Sequence, residues 1–241
     1  MSALPEMTRR FEDIKQVLET LRDMEKRLKS NPRSHLQRSR LVAASRASAY
    51  VMMYNAIESA MREVFESMRS SIEQENLQFH AVSEYWRLDI LQAKFLKKMQ
   101  DGFSHGTILT NIAPLAANIL QWTESERERL PFSGNFGQDH VFRFKDVLGL
   151  NWGAPAGTLG GADLENIRKR RNALAHGLET FEEAGSAITA KELLDILGRV
   201  SRFMTSYVTA LEEYQTNRGY LNVVPLPVGL AAGLVENQDA F

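Results

Sequence analysis

Arg171-Asn172-Ala173-Leu174-Ala175-His176-Gly177 places a guanidinium, a carboxamide and an imidazole within six positions. Arginine is permanently charged, and its planar fork donates two parallel hydrogen bonds to a phosphate where lysine offers a point charge. Histidine titrates near neutrality and takes or returns a proton. Groups of these types bind a phosphodiester, orient it and move a proton. In RNA the neighbouring 2′-hydroxyl is a ready nucleophile: it attacks phosphorus, the 5′-oxygen leaves, and a cyclic phosphate remains. His176 would act as acid or base, Arg171 would offset charge on the phosphoryl oxygens, and Asn172 would orient substrate or imidazole. Such chemistry calls for no metal and no cofactor, and it selects RNA over DNA by the sugar.

A helix turns about 100° per residue, so Asn172 and His176, at i and i+4, share one face. Arg171 sits one step round and reaches the same space with its long side chain. Arg168, Lys169 and Arg170 extend the positive charge and are candidate RNA contacts. The plainer alternative for that run is a solvated helix face with His176 as a capping residue. Arg33, Arg38, Arg40 and Arg46 form a second basic cluster, read as solvating the exposed side of a helix start. His35, His80, His105 and His140 show no metal-ligand spacing and read as structural or surface residues. Gly153-Ala-Pro-Ala-Gly-Thr-Leu-Gly-Gly161 lacks the Gly-Lys-Ser/Thr ending of a phosphate-binding loop, and reads as a flexible approach to the helix that follows.

Composition bounds what else is open. The 241 residues carry 29 basic and 30 acidic side chains, a net charge of −1, so no global field gathers nucleic acid. An RNA contact must therefore come from a local patch. With no cysteine, disulfides, thiol nucleophiles and cysteine-type zinc sites are impossible. Met1 to Arg10 is polar, and Val223 to Val235 is short and broken by Pro225 and Pro227. These features give the expectation of a cytoplasmic protein with no membrane association.

The elements that must position the candidate groups are helices, since no period-2 alternation is sustained anywhere. The expected fold class is all-α, with long helices near residues 8–30, 41–74 and 190–216. Phe11, Ile14, Leu18, Leu21, Met24 and Leu28 mark the first, which should stop before Asn31-Pro32. Tyr50, Tyr54, Ile57, Met61, Phe65 and Met68 mark the second. Ala43, Ala44, Ser45, Ala47 and Ser48 precede that stripe and would let another helix approach closely. A third helix runs through Tyr85, Ile90, Leu91, Phe95 and Leu96 to Asp101-Gly102. Shorter helices are expected at Pro114–Trp122, Glu124–Leu130 and His140–Leu150. Asp163 is a plausible N-cap for the helix bearing Arg171, and Gly177 is placed to end it. Thr189-Ala-Lys-Glu192 reads as a capping box. It opens a last helix whose Leu193, Leu197, Val200, Met204, Tyr207, Leu211 and Tyr214 form either bundle core or a subunit seam. Residues 1–220 read as one domain and 221–241 as an apolar, proline-broken tail.

Several segments, in order, resemble the MAE-type HEPN-like nuclease family of the HEPN superfamily. They are Ala49-Tyr-Val-Met-Met-Tyr-Asn-Ala-Ile-Glu58, Phe132-Ser-Gly-Asn135, Phe144-Lys-Asp-Val-Leu-Gly-Leu150, Arg171-Asn-x-x-x-His-Gly177, and Phe181-Glu-Glu-Ala-Gly185 leading into Thr189. The resemblance covers nearly the whole chain. It implies a HEPN-type helical bundle, and an active site built from two copies of the motif facing each other across a homodimer. By that resemblance Arg171, Asn172 and His176 are the catalytic residues. Asn55 and Glu58 are supporting candidates, since a carboxylate near the signature helix would orient His176 or pair with Arg171. HEPN toxins paired with nucleotidyltransferase antitoxins carry a tyrosine two positions after the histidine. Here that position is Leu178, which argues against regulation through such a tyrosine.

The signature and the resemblance together give the expectation of a metal-independent endoribonuclease, a toxin or phage-defence effector with an antitoxin or defence-system protein as a candidate further partner. The alternatives are a non-catalytic HEPN module binding RNA, a nucleotide or a partner protein, and a purely structural helical subunit.

Overall fold

A computed structural model describes residues 2–30, 35–100, 118–132 and 134–222. Arg33, the Asp101-Gly102 stop, His105, Pro114, Ser133 and residues 223–241 of the tail lie outside the described residues. So do the side chains of His35, Arg38, Phe95 and Leu96. Among the described residues there are eight α-helices and no named strand. We number them α1 (Leu4–Ser30), α2 (His35–Gln74), α3 (Glu84–Gln100), α4 (Glu124–Arg127), α5 (Gln138–Leu148), α6 (Ala162–Ala175), α7 (Phe181–Ser186) and α8 (Ala190–Thr216). The first two long helices begin several residues earlier than their apolar stripes. None of the described helices is long and apolar enough to cross a membrane.

The frame is α1, α2 and α8 packed along one another, and α2 alone, at 40 residues, extends about 60 Å. Phe11, Ile14 and Leu18 of α1 meet Met53, Ile57 and Met61 of α2 and Val200, Met204 and Tyr207 of α8 in one continuous core. Nearly every position of the α8 seam is buried, so that stripe is bundle core within the chain. The Thr189 capping box forms as the spacing predicts, with Thr189 accepting from the Glu192 N–H and Glu192 reaching back.

Small residues matter where α7 crosses α2. A Cβ on Gly185 would lie 1.7 Å from the carbonyl oxygen of Ala43, so only glycine lets the two backbones touch. The small-residue stretch does receive another helix, as expected.

A second layer covers one end of α2. Phe65, Tyr85, Trp86, Phe132 and Phe144 pack with their rings tilted or edge-on to one another, joining α2, α3, α5 and the turn before α5. Residues 119–122 do not extend a helix here, because Leu120 and Trp122 donate from their backbones to the Leu77 carbonyl and the Glu73 carboxylate. Of the second basic cluster, Arg40 is largely exposed, as a solvated face requires, and Arg46 is drawn inward. Arg40 pairs with Glu182, and Arg46 packs between Glu25 and the Ile188 carbonyl.

Arg69 locks this layer to α2. It is 1% exposed, forks onto Asp89 at 2.9 and 3.1 Å, and donates to the carbonyls of Arg127 and Arg129. Trp122 Nε1 donates to the same carboxylate. Burial of one charge without its partner is strongly unfavourable. Asp89→Ala should therefore lower unfolding free energy by about 3–5 kcal/mol in urea titrations, and a change below 1 kcal/mol, by the same standard, would show that the cluster relaxes or hydrates.

Candidate active site

Helix α6 carries the Arg171–His176 segment and is held from both ends. Its N-cap is Gly161 at φ +87°, not Asp163. A side chain there would collide with the Phe203 ring, which a Cβ would approach to 2.6 Å. Asp163 lies instead in the first turn and accepts from Arg199 of α8 at 2.6 and 3.2 Å, which binds α6 to the frame. The entry to the preceding loop is anchored by Trp152, which wedges against Phe203 and Tyr207 and donates to Ser206, while Gly153, Gly157 and Leu159 of the loop are exposed. At the other end, Gly177 N–H bonds the Leu174 carbonyl and Leu178 N–H bonds that of Ala173, with Gly177 at φ +67°. This is a Schellman termination, and it leaves His176 as the C-cap.

The side chains of α6 then divide by face. Leu164, Ile167 and Leu174 are buried. Arg170 turns toward Tyr50 and pairs with Glu179, away from Arg171. Lys169 is 70% exposed beside Glu165. Arg168 forks onto Glu165, whose carboxyl that contact holds below its usual range, and also reaches Asn135. Of the three basic candidates, only Arg168 joins the Arg171–Asn172 cluster through a bond.

That cluster is a chain of four side chains. Arg171 Nη1 donates to Asn172 Oδ1 at 3.0 Å, Asn172 Nδ2 donates to Asn135 Oδ1 at 2.9 Å, and Arg168 Nη1 donates to the same oxygen at 2.9 Å. Arginine has no acceptor, so the two guanidiniums dictate which way both carboxamides point. Both carboxamide oxygens are thereby occupied. What the cluster still offers is almost entirely N–H, on Arg171 and on the two amides, which is the complement of an anion.

Tyr54 supports the chain from below. Its ring lies under Arg171, 4.4 Å from ring centroid to guanidinium carbon. Its hydroxyl donates to the Gly134 carbonyl and accepts from the Phe136 N–H, fixing the turn that presents Asn135. Burial pushes that phenol's pKa up, and the Glu58 carboxylate adds to the shift. Neither Tyr54 nor Asn135 stood out as a site residue from sequence. Each lies in a segment of the family resemblance, Tyr54 in Ala49–Glu58 and Asn135 in Phe132–Asn135.

The remaining candidates are placed less centrally. His176 is exposed, one helical turn beyond Asn172, and its ring makes no hydrogen bond among the described residues. Glu58 lies beside the Gly134 turn, on the Tyr54 side, and pairs with neither Arg171 nor His176 among the described residues. Asn55 is exposed on α2. His140 packs between Phe136 and Phe144 behind the turn, where burial, Arg143 and Arg168 lower its pKa. No three His, Asp or Glu side chains among the described residues gather as a metal-binding group.

The order of these segments agrees with one family. Its model, described as HEPN_MAE_28990:/-like HEPN, matches residues 7–220. The chain belongs to this HEPN family. No curated protein and no solved structure matches it. The all-helical bundle agrees with a HEPN fold, and the match spans α2, the turn, α6 and α8 together. Within this HEPN domain, Tyr54→Phe keeps the ring under Arg171 but removes both bonds to the turn. The expected cost is about 1–3 kcal/mol of stability, with amide exchange rising at Asn135 and Phe136; unchanged exchange there would remove Tyr54 as the anchor.

Proposed function

We propose that this HEPN domain is an endoribonuclease that cleaves RNA without a metal. The observation that carries this reading is the Arg171–Asn172–Asn135–Arg168 chain, whose unused groups are N–H donors, with the exposed His176 one helical turn further along the segment. Arg171 binds the non-bridging phosphoryl oxygens and offsets their charge as the phosphorus becomes five-coordinate. The 2′-oxygen forms its bond to phosphorus and surrenders a proton; the bond to the 5′-oxygen breaks, and that oxygen gains one. His176 performs one of these two proton transfers. Asn172, held by Arg171 on one side and Asn135 on the other, orients the bound phosphate.

In-line displacement puts entering and leaving oxygens on opposite sides of phosphorus, and one imidazole reaches one side. The other transfer group then comes from a second copy of the chain, giving a composite homodimeric site. Leu178 is 81% exposed and Phe181 41% exposed, just past His176, which supports an interface at this face. In cells the activity suits a toxin or phage-defence effector, restrained by a partner protein until needed.

Single-stranded RNA incubated with the protein in EDTA should be cut to cyclic-phosphate ends. Arg171→Ala and His176→Ala should each slow cleavage by about 10²–10⁴-fold, and undiminished cutting by both variants would remove these residues from the mechanism. Leu178→Lys should shift the mass by light scattering toward the 27.3 kDa protomer, with loss of cutting; a dimer that persists would move the interface elsewhere.

The net charge of −1, with Glu58 and Glu165 close to the cluster, favours a second reading: a module that binds RNA or a partner without cutting. Binding by wild type with no cleavage, and no effect on growth when induced, would select it.

A further inference from the structure

We infer that Asn135 touches the substrate: its Nδ2 group donates to a phosphate oxygen of the bound strand, making the turn at Gly134–Gly137 a second wall of the site. This rests on the reading of the site as one for a phosphodiester.

The argument begins with valence. Asn135 Oδ1 accepts from Asn172 Nδ2 and Arg168 Nη1, both at 2.9 Å. Two donors on one oxygen saturate it and turn it toward α6. The NH₂ group of the same planar amide then faces away from α6, where the residue is exposed. It carries two donors that no described residue takes up.

The second step is rigidity. An exposed asparagine on a loose turn would lose much of its binding contribution to ordering. Here the turn is held on both sides of Asn135, through Gly134 and Phe136, by one buried tyrosine hydroxyl. Phe132 and Phe136 are themselves buried, with their rings 5.2 Å apart. Gly134 adopts φ +68°, the left-handed bend that sends the chain outward at Asn135. The Asn135 amide is thus presented in one orientation before any ligand arrives.

Third, the same Tyr54 supports Arg171 through its ring. Arg171 and Asn135 are therefore set by one residue as well as by the relay between them. A strand lying across Arg171 meets the Asn135 amide as the next fixed donor.

Asn135→Asp discriminates the two roles the residue could have. The carboxylate keeps the acceptor for Arg168 and Asn172, and strengthens it, but replaces the NH₂ with a charged oxygen. Binding is read by fluorescence anisotropy with single-stranded 2′-deoxyoligonucleotides, which keep the phosphates and lack the attacking hydroxyl. Asn135→Ala should weaken Kd about tenfold, and Asn135→Asp should bind more weakly than Asn135→Ala. The losses should be alike on homopolymers of different bases, because a phosphate contact is blind to sequence. Asn135→Asp binding as wild type would show that Asn135 only props α6, and would overturn the proposal. A loss confined to one base would assign the amide to a base edge and overturn it equally. Wild-type cleavage of RNA with full activity in Asn135→Asp would leave the endoribonuclease reading standing and this one fallen. Failure of wild type to bind or cut at all would remove both.

Discussion

The hydroxyl of Tyr54 sits at the inner edge of the bundle, where a polar group must find partners within the protein. It finds them in the backbone on either side of Asn135, while its ring takes the Arg171 guanidinium. Core and candidate site are thereby coupled through one side chain. Displacing Tyr54 along α2 would move the turn and the arginine together, so the site's internal distances depend on α2 staying fixed. Arg69, further along the same helix, serves that end through Asp89 of α3, tying α2 to the layer that carries Phe132.

The charges around the site follow from how guanidiniums are distributed over α6. Arg170 is spent on Glu179 and Arg168 is shared between Glu165 and Asn135, while Arg171 keeps most of its donors. A near-neutral protein can in this way present a concentrated patch of donors without a basic surface. Attraction of a polyanion then acts at short range, where desolvation and hydrogen bonding matter more than the long-range field.

Much of the scaffold was legible in the sequence because helices and their ends obey local rules. The stripe on α8, the Thr189 box and the Gly177 stop all depend on residues within a turn or two of one another. The start of α6 was misread for a nonlocal reason. Asp163 has the chemistry of a cap, but Arg199 on α8 draws its carboxylate, and the close approach of Phe203 reserves the cap for Gly161. Asn135 and Tyr54 escaped for the same kind of reason. Their partners lie 37 and 80 residues away, distances at which spacing along the chain carries no geometry. Arg171, Asn172 and His176 were visible because one helix supplies all three, and the structure adds that only the first two are bonded to each other.

The relay between the two arginines has a bearing on how the site would answer to acidity. Guanidiniums and carboxamides hold the same protonation state throughout the range in which proteins stay folded. The charge of the four relay side chains is therefore indifferent to pH. Among the groups that flank the relay, Glu165 has its carboxyl held below the usual range by Arg168, so this ion pair persists into more acid conditions than a free carboxylate would allow. Acid would thus reach the site through the groups around the relay rather than by changing the relay's own charge.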